Sequence, residues 1–387
     1  MKIDYSQFDE IINFIRNLYK TDKFIPLHEP KFIGNEKKYL AECIDSTFVS
    51  SVGEFVNRLE VEIAKYTTAK YAVATVNGTS ALHASLIACD TKETDEVITQ
   101  SLTFIATVNA IKYTRADPLF IDVDKNSFSL SSDKLKTFLQ NYTEIRDDGF
   151  SYNKKSGKRI KACIPMHTFG HIGKIDEIVE ICNKYNIDVI EDAAEALGSS
   201  YKKKHAGTFG KVGILSFNGN KIITSGGGGA IITDDAELAK TIKHLTTTAK
   251  IPHPWEFIHD EIGFNYRMPN INAALAYAQL EKLDEFISNK REISNKYNNF
   301  FKNFETIHFL TEPKSCFSNH WLNTIIFSNK EEKESFLHYS NKHNVMTRSI
   351  WEPMHQLKMF KDCIKTDLVN TEWLYDRAVN IPSSAIV

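Results

Sequence analysis

The sequence predicts an α/β protein with a central, mostly parallel sheet and a smaller C-terminal α+β unit. Three observations carry this expectation. Between residues 70 and 194, short apolar runs alternate with stretches of helical periodicity, the rhythm of strands joined by crossover helices. The chain has 387 residues, more than one small core organises, so two units are expected. After a long helical pattern at 269–301 that rhythm is replaced by short strands around one helix. The division is therefore placed at 1–265, N-terminal helices plus the large unit, and 266–387, the linking helix plus the small unit.

Taken in order, residues 1–60 are mostly helical in pattern, with EKKYLAECIDSTF (36–48) and EFVNRLEVEIAKYT (54–67) spaced as helices around a VSSVG break. KYAVATV (70–76) reads as a buried strand, and NGTSALHASLIAC (77–89) turns into a helix. DEVITQ (95–100), PLFIDVD (118–124), KACIPMH (161–167) and IDVIEDAA (187–194) are strands. Helices at 103–114 and 172–186 lie among them, and the charged stretch 143–160 reads as a solvated hairpin or loop. GILSF (213–217) and KIITSGGGGAIITD (221–234) are short strands joined by turn residues, expected as an antiparallel edge or return strand. A helix follows at 235–247, then one long helix from PNIN over 269–301. NTIIFS (323–328), a helix at 331–340 and VMTRS (345–349) form the small unit.

Composition narrows the function. The net charge of −2 offers no basic field for nucleic acid or anionic membrane. The six cysteines make no CxxC pair and read as small hydrophobes in a reducing compartment. The first residues lack a basic region leading into an apolar run, and no apolar stretch is long enough to span a bilayer, so a cytoplasmic protein is expected. There is no HExxH, and His167 and His171 are separated by Gly170 at a strand end, so no metal is expected. A GxSxG elbow, a P-loop and a Rossmann fingerprint are absent.

Three stretches remain. Asn77-Gly78-Thr79-Ser80 ends a strand and opens a helix, the arrangement that holds a phosphate, or simply an ordinary helix cap. Asp192 stands at the carboxyl end of a strand, where open α/β sheets bind ligands. There it holds a proton on a ring nitrogen, or caps the next helix. Lys221, near Ser216 and before glycines 226–229, is either an activated amine or a solvated lysine on a Gly-rich hairpin. Their order along the chain is informative. A phosphate cup, a ring-sized aromatic, an aspartate, then a serine and a lysine supply contacts for the phosphate, ring nitrogen and aldehyde of pyridoxal phosphate.

The blocks NGTSALHASL, LTFIATVNAI, VIEDAAEALGS, GILSFNGNKIITSGGGGAI, GFNYRMPNINAALAYAQL and NIPSS resemble, in content and order, the DegT/DnrJ/EryC1/StrS family of sugar aminotransferases. The resemblance implies the pyridoxal-phosphate fold type I, aspartate aminotransferase-like, with a seven-stranded central sheet. It implies Lys221 as the lysine carrying pyridoxal 5′-phosphate, with pyridoxamine 5′-phosphate as the aminated form. Asp192 matches the partner of the ring nitrogen, and Phe104 the aromatic stacked on the ring. Gly78, Thr79, Ser80 and Ser216 match the phosphate ligands. Glu195 matches a polar position near the cofactor or substrate. Asn265 matches a residue reaching the phosphate from the second subunit of a homodimer with shared active sites. Tyr266, Arg267, Trp351 and His355 fall where the substrate is approached.

The N-terminal stretch resembles the LegC-like, bacillosamine-type subgroup. That implies transfer of the amino group of L-glutamate to C4 of a UDP-linked 4-keto-6-deoxy-2-acetamido hexose, giving 2-oxoglutarate and an amino sugar for bacillosamine, legionaminic acid or another glycan such as lipopolysaccharide. The alternatives are a 3-keto or a dTDP- or GDP-linked keto-sugar aminotransferase of the GDP-perosamine synthase kind, and a non-catalytic regulator that kept the fold. Dehydratase relatives replace the lysine with histidine, so Lys221 favours transamination.

Overall fold

The computed structural model describes residues 5–387. The chain opens with three helices, α1 (Tyr5–Tyr19), α2 (Glu36–Asp45) and α3 (Glu54–Thr67), and then enters the alternating region. There follow β1 (Tyr71–Thr75), α4 (Gly78–Ala88), β2 (Asp95–Gln100), α5 (Ile105–Tyr113), β3 (Asp117–Ile121) and α6 (Ser132–Tyr142). A short hairpin, β4 (Thr143–Ile145) and β5 (Ser151–Asn153), leads to β6 (Arg159–Ile164), α7 (Ile175–Lys184) and β7 (Asp188–Asp192). Two-residue strands β8 (Ser200–Tyr201) and β9 (Lys204–His205) precede β10 (Val212–Ser216), β11 (Gly229–Thr233) and α8 (Ala236–Thr246). The rest is α9 (Asn270–Leu280), α10 (Leu283–Phe301), β12 (Ile307–Phe309), β13 (Cys316–Phe317), β14 (Asn323–Phe327), α11 (Lys330–Lys342), β15 (Arg348–Ser349), α12 (Val369–Tyr375) and β16 (Ala378–Ile381).

The large sheet runs β1-β11-β10-β7-β6-β2-β3, with the β4–β5 hairpin attached to the start of β6. Every neighbouring pair along that path is parallel except those of β11, which is antiparallel to both β1 and β10. The seven-stranded expectation therefore holds, as does the hairpin within 143–160. Of the two alternatives for 213–234, the return strand is found: β11 runs antiparallel between β10 and β1, and neither β10 nor β11 lies at a sheet edge. Successive residues alternate between the two faces. Val73, Val97, Ile190, Ile214 and Ile231 pack under α4 and α8, whereas Ala74, Ile98, Val189, Leu215 and Ile232 join the core on the other face. Both faces are covered, which is why these strands read as continuous apolar runs.

The second sheet, β12-β14-β16-β15, is antiparallel. Its core includes Phe8, Ile11 and Ile15 of α1 together with Tyr297, Phe327 and Phe336. Helix α1 thus packs with the C-terminal elements, although the sequence division grouped it with 1–265. Its apolar stripe is plain in the sequence, but a stripe does not say which sheet it covers. The single helix expected over 269–301 is two, broken at Glu281-Lys282. Helix α9 is buried on most sides, while α10 has one polar face. A two-residue break between such stretches leaves no mark in the apolar spacing. Among the described residues, no helix is long and apolar enough to cross a membrane.

Candidate active site

The parallel strands β1, β7 and β10 end at one edge of the sheet, the edge where α/β sheets place ligands. Thr75 and Ser216, the last residues of β1 and β10, both pair with Gly229, the first of β11. A cavity of about 460 Å³ opens there, lined by Asn77, Gly78, Thr79, Phe104, Asp192, Glu195, Ser216 and Lys221 among others. Trp321, Arg348, Ser349, Trp351 and Asn380 close it from the small sheet's side.

Asn77 caps α4: its extended backbone lets the side-chain oxygen accept from Ser80 N at 2.7 Å. The helix's first two amides, Gly78 and Thr79, lie at the cavity without an intrahelical partner. A methyl at Gly78 would sit 3.2 Å from Ser216 Cβ, so the glycine lets these two walls meet. The glycine run has a similar cause. Gly226 has φ of +78°, and a Cβ on Gly229 would lie 2.7 Å from the Asn77 carbonyl carbon.

Asp192 is buried at the end of β7. Its Oδ2 accepts from Thr107 Oγ1 at 2.7 Å and its Oδ1 from Ala194 N at 3.2 Å. Burial raises its pKa, with the two hydrogen bonds opposing. Lys221 Nζ lies 3.1 Å from Glu195 Oε1 and 4.0 Å above the Trp321 ring. Glu195, buried, also accepts from Phe169 N at 2.9 Å through Oε2. Desolvation pushes its pKa up to about 7, opposed mainly by the Lys221 charge. Phe104, the N-cap of α5, is 47% exposed and starts an aromatic wall. Its ring centroid is 6.2 Å from Trp351, which lies 5.0 Å from Phe169.

Other residues singled out in the sequence lie elsewhere. Ser80 contributes its amide to the Asn77 cap and does not line the cavity. Tyr266 stacks on Phe264 at 5.0 Å, and its hydroxyl meets His83 Nδ1 at 3.1 Å. Arg267 Nε donates to the exposed Asn265 Oδ1 at 2.9 Å. Neither Asn265, Tyr266 nor Arg267 lines this chain's cavity. His355 is held by Ser101 Oγ at 2.8 Å and Glu372 at 3.3 Å, behind the cavity wall. His167 and His171 are buried; His167 Nε2 meets Glu191 Oε2 at 2.8 Å, and the Nδ1 atom of each ring has no protein partner among the described residues. Trp321, Phe169, Arg348 and Asn380 were not singled out by the sequence. They reach the site through tertiary packing, and only Asn380 sits in a block, NIPSS, that carried the resemblance.

Comparison with known proteins identifies the family. The DegT/DnrJ/EryC1/StrS aminotransferase family matches residues 30–386. The chain is 38% identical over 361 residues to a GDP-perosamine synthase of Escherichia coli O157:H7, covering 93% of each chain. It is 36% identical to the putative pyridoxal phosphate-dependent aminotransferase EpsN of Bacillus subtilis (strain 168), covering 94% of this chain and 92% of that one. A GDP-perosamine synthase of Caulobacter vibrioides is 33% identical, with 93% of each covered. Among solved structures, the aminotransferase TlmJ of Streptoalloteichus hindustanus superposes with a TM-score of 0.84 at 23% identity, covering 93% of both chains. Helicobacter pylori PseC gives 0.84 at 22%, covering 93% of this chain and 94% of that one. At such identity these two speak for the fold. The chain belongs to the DegT/DnrJ/EryC1/StrS aminotransferase family, whose chemistry depends on pyridoxal phosphate.

Proposed function

We propose that this enzyme moves the amino group of L-glutamate to C4 of a GDP-linked 4-keto-6-deoxy hexose, releasing 2-oxoglutarate and a 4-amino sugar nucleotide. The observation that carries the aminotransferase chemistry is the convergence of Lys221, Asp192 and the start of α4 on one cavity. The choice of GDP rests on the relatives at 38% and 33% identity that bear the name GDP-perosamine synthase. They favour the GDP-linked alternative over the UDP-linked, bacillosamine-type reading that the N-terminal stretch suggested.

The residues fit the cofactor. The free amides of Gly78 and Thr79 and the Ser216 hydroxyl suit a phosphate. Asp192 is a buried carboxyl whose pKa is raised by desolvation, and a protonated ring nitrogen beside it would favour its ionised form. Phe104 offers an exposed ring to cover one face. Pyridoxal phosphate, when bound, supplies an aldehyde that takes an amine covalently and a ring that stores the electron pair released at the substrate carbon. Lys221 holds the cofactor in the resting enzyme. When not bonded to the cofactor, its Nζ would be the group placed to move a proton at the reacting carbon, as a base and then an acid. Glu195, its carboxyl raised to about 7 by burial, accepts a hydrogen bond from the Lys221 amine and holds it in place. Trp321 shields the amine from water. Asp192 keeps the ring nitrogen protonated.

A substrate panel tests the assignment: purified enzyme, glutamate, and GDP-, UDP- and dTDP-linked 4-keto sugars, with products read by mass and NMR. The GDP compound is expected to lead in kcat/KM by at least about 10-fold. A UDP or dTDP compound in first place would overturn the choice of base, and amination at C3 would overturn the regiochemistry.

A second copy completes the site in this reading. Trp255, Phe257 and Ile262 are 77%, 81% and 86% exposed on the segment leading to Asn265 and Arg267. Such apolar side chains mark a surface that another chain covers. With that face covered, Asn265 is available to a neighbouring cavity. Light scattering should give twice the chain mass, and a monomer at micromolar concentration would rule this out.

A further inference from the structure

The small sheet contributes a polar row to the cavity wall. Thr324, Asn380 and Arg348 stand opposite one another across β14, β16 and β15. Directly paired residues of antiparallel strands project on the same face. At the inner end, buried Thr324 Oγ1 donates to Asn380 Oδ1 at 2.7 Å. That bond uses the amide's acceptor and leaves its NH₂. Asn380 is itself only 5% exposed, and it lines the cavity with Arg348. Among the described residues, neither the Asn380 amide nitrogen nor the guanidinium of Arg348, an exposed residue at the cavity's mouth, has a protein acceptor. The adjoining Ser349 hydroxyl is buried, lines the same cavity and is also unpartnered.

The cavity's own acids do not serve these groups. Asp192 is engaged by Thr107 and Ala194, and Glu195 by Lys221 and Phe169. A row ending in an amide NH₂ and a guanidinium, with no acceptor between them, calls for an oxyanion. Two donors facing one cavity offer an oxyanion a combined contact, and the planar fork of arginine suits a carboxylate or phosphate in two-point contact.

We propose that Arg348, with Asn380 beside it, binds the anionic end of the substrate. This rests on the aminotransferase reading. Both reactants carry such an end away from the reacting carbon. Glutamate has a distal carboxylate beyond two methylenes, and the sugar nucleotide has a diphosphate across the ring from C4. Each occupies the cavity in turn, so one guanidinium is available to either oxyanion. Arg348 is a substrate-binding residue. Its guanidinium is always charged and moves no proton.

The test uses cofactor-loaded enzyme with Arg348→Gln, Arg348→Lys and Asn380→Asp. The last places a carboxylate opposite the arginine and occupies it. The two half-reactions are followed separately by absorbance, glutamate without sugar and GDP-keto sugar with the aminated enzyme. GDP and glutarate are titrated calorimetrically as unreactive probes. R348Q is expected to raise KM for at least one substrate about 10- to 100-fold, with kcat changed no more than about threefold. The matching probe weakens in parallel, R348K recovers part of the loss, and N380D repeats it. Loss confined to glutamate and glutarate assigns the carboxylate, and loss confined to the sugar and GDP assigns the diphosphate. Unchanged KM values and unchanged binding of both probes in R348Q would overturn the proposal. Failure of the aminotransferase reading is separate: wild-type enzyme would aminate none of the keto sugars, while the probe titrations would still report on Arg348.

Discussion

Replacing Lys221 with alanine is expected to stop turnover and leave the fold in place. The side chain is 11% exposed, and among the described residues its Nζ is engaged only by Glu195 and the Trp321 face. The loop around it is held by its backbone, Lys221 N on Asn218 O at 3.0 Å and Ser225 N on Phe217 O at 3.0 Å. Removing the amine therefore leaves the loop's bonds intact. It also leaves Glu195 without its cation. Burial already lifts that carboxyl to about 7 against the lysine's pull, so in the variant it keeps its proton to higher pH and is not stranded as a charge. The chemical loss is large, because the cofactor's covalent anchor and the proton-transfer group disappear together. A fall in kcat of at least about 10⁴-fold is expected. Circular dichroism should be unchanged. Borohydride treatment of wild-type enzyme should fix the cofactor's mass on a peptide containing Lys221, and the variant should show none. Multiple turnovers at a tenth of the wild-type rate would refute the role.

The residues whose surroundings are local in the chain are legible from the sequence. Asp192 follows an apolar run that becomes β7, and its place at the strand's carboxyl end follows from the parallel sheet. Lys221 stands out through its glycines. The cause of one of them, Gly229 packed on the Asn77 peptide, is hidden in the sequence because strands β1 and β11 come from distant stretches. Ser80 illustrates the limit of a motif. Its position in Asn77-Gly78-Thr79-Ser80 marks the helix start, but Asn77 takes its amide, so the free donors are Gly78 and Thr79. His355 resembles a substrate contact because of its place in the small unit, yet Ser101 from the large unit holds its ring. Arg348 and Asn380 become neighbours only through cross-strand register, which the apolar pattern of two- and four-residue strands does not encode.

Replacing Asp192 with asparagine is expected to separate stability from activity. The amide fits the site without orphaning a group. Asparagine Oδ1 still accepts from Ala194 N, and its NH₂ donates to Thr107 Oγ1, whose own proton turns to Thr103 Oγ1 at 2.8 Å. Thr103 then donates to Met166 Sδ at 3.0 Å, so the chain of hydroxyls reverses its direction and remains satisfied. What changes is the charge. Burial raises the folded-state pKa of Asp192 above its unfolded value, so the folded protein binds this proton more tightly than the unfolded chain does. The contribution to stability is fully present below the unfolded pKa and is lost as pH rises through the folded one. At neutral pH, above the unfolded pKa, burying this carboxyl costs the cofactor-free protein stability whichever state it holds there, and the amide removes that cost. The variant without cofactor should therefore melt above wild type at pH 7, and the gap should close as pH falls toward 4. With pyridoxal phosphate bound the order should reverse. The carboxylate then faces a protonated ring nitrogen, and kcat should drop about 10³-fold when only a neutral amide is there to hold that proton. A cofactor-free variant less stable than wild type at pH 7, with activity retained, would show that Asp192 is a structural cap and not the ring's partner.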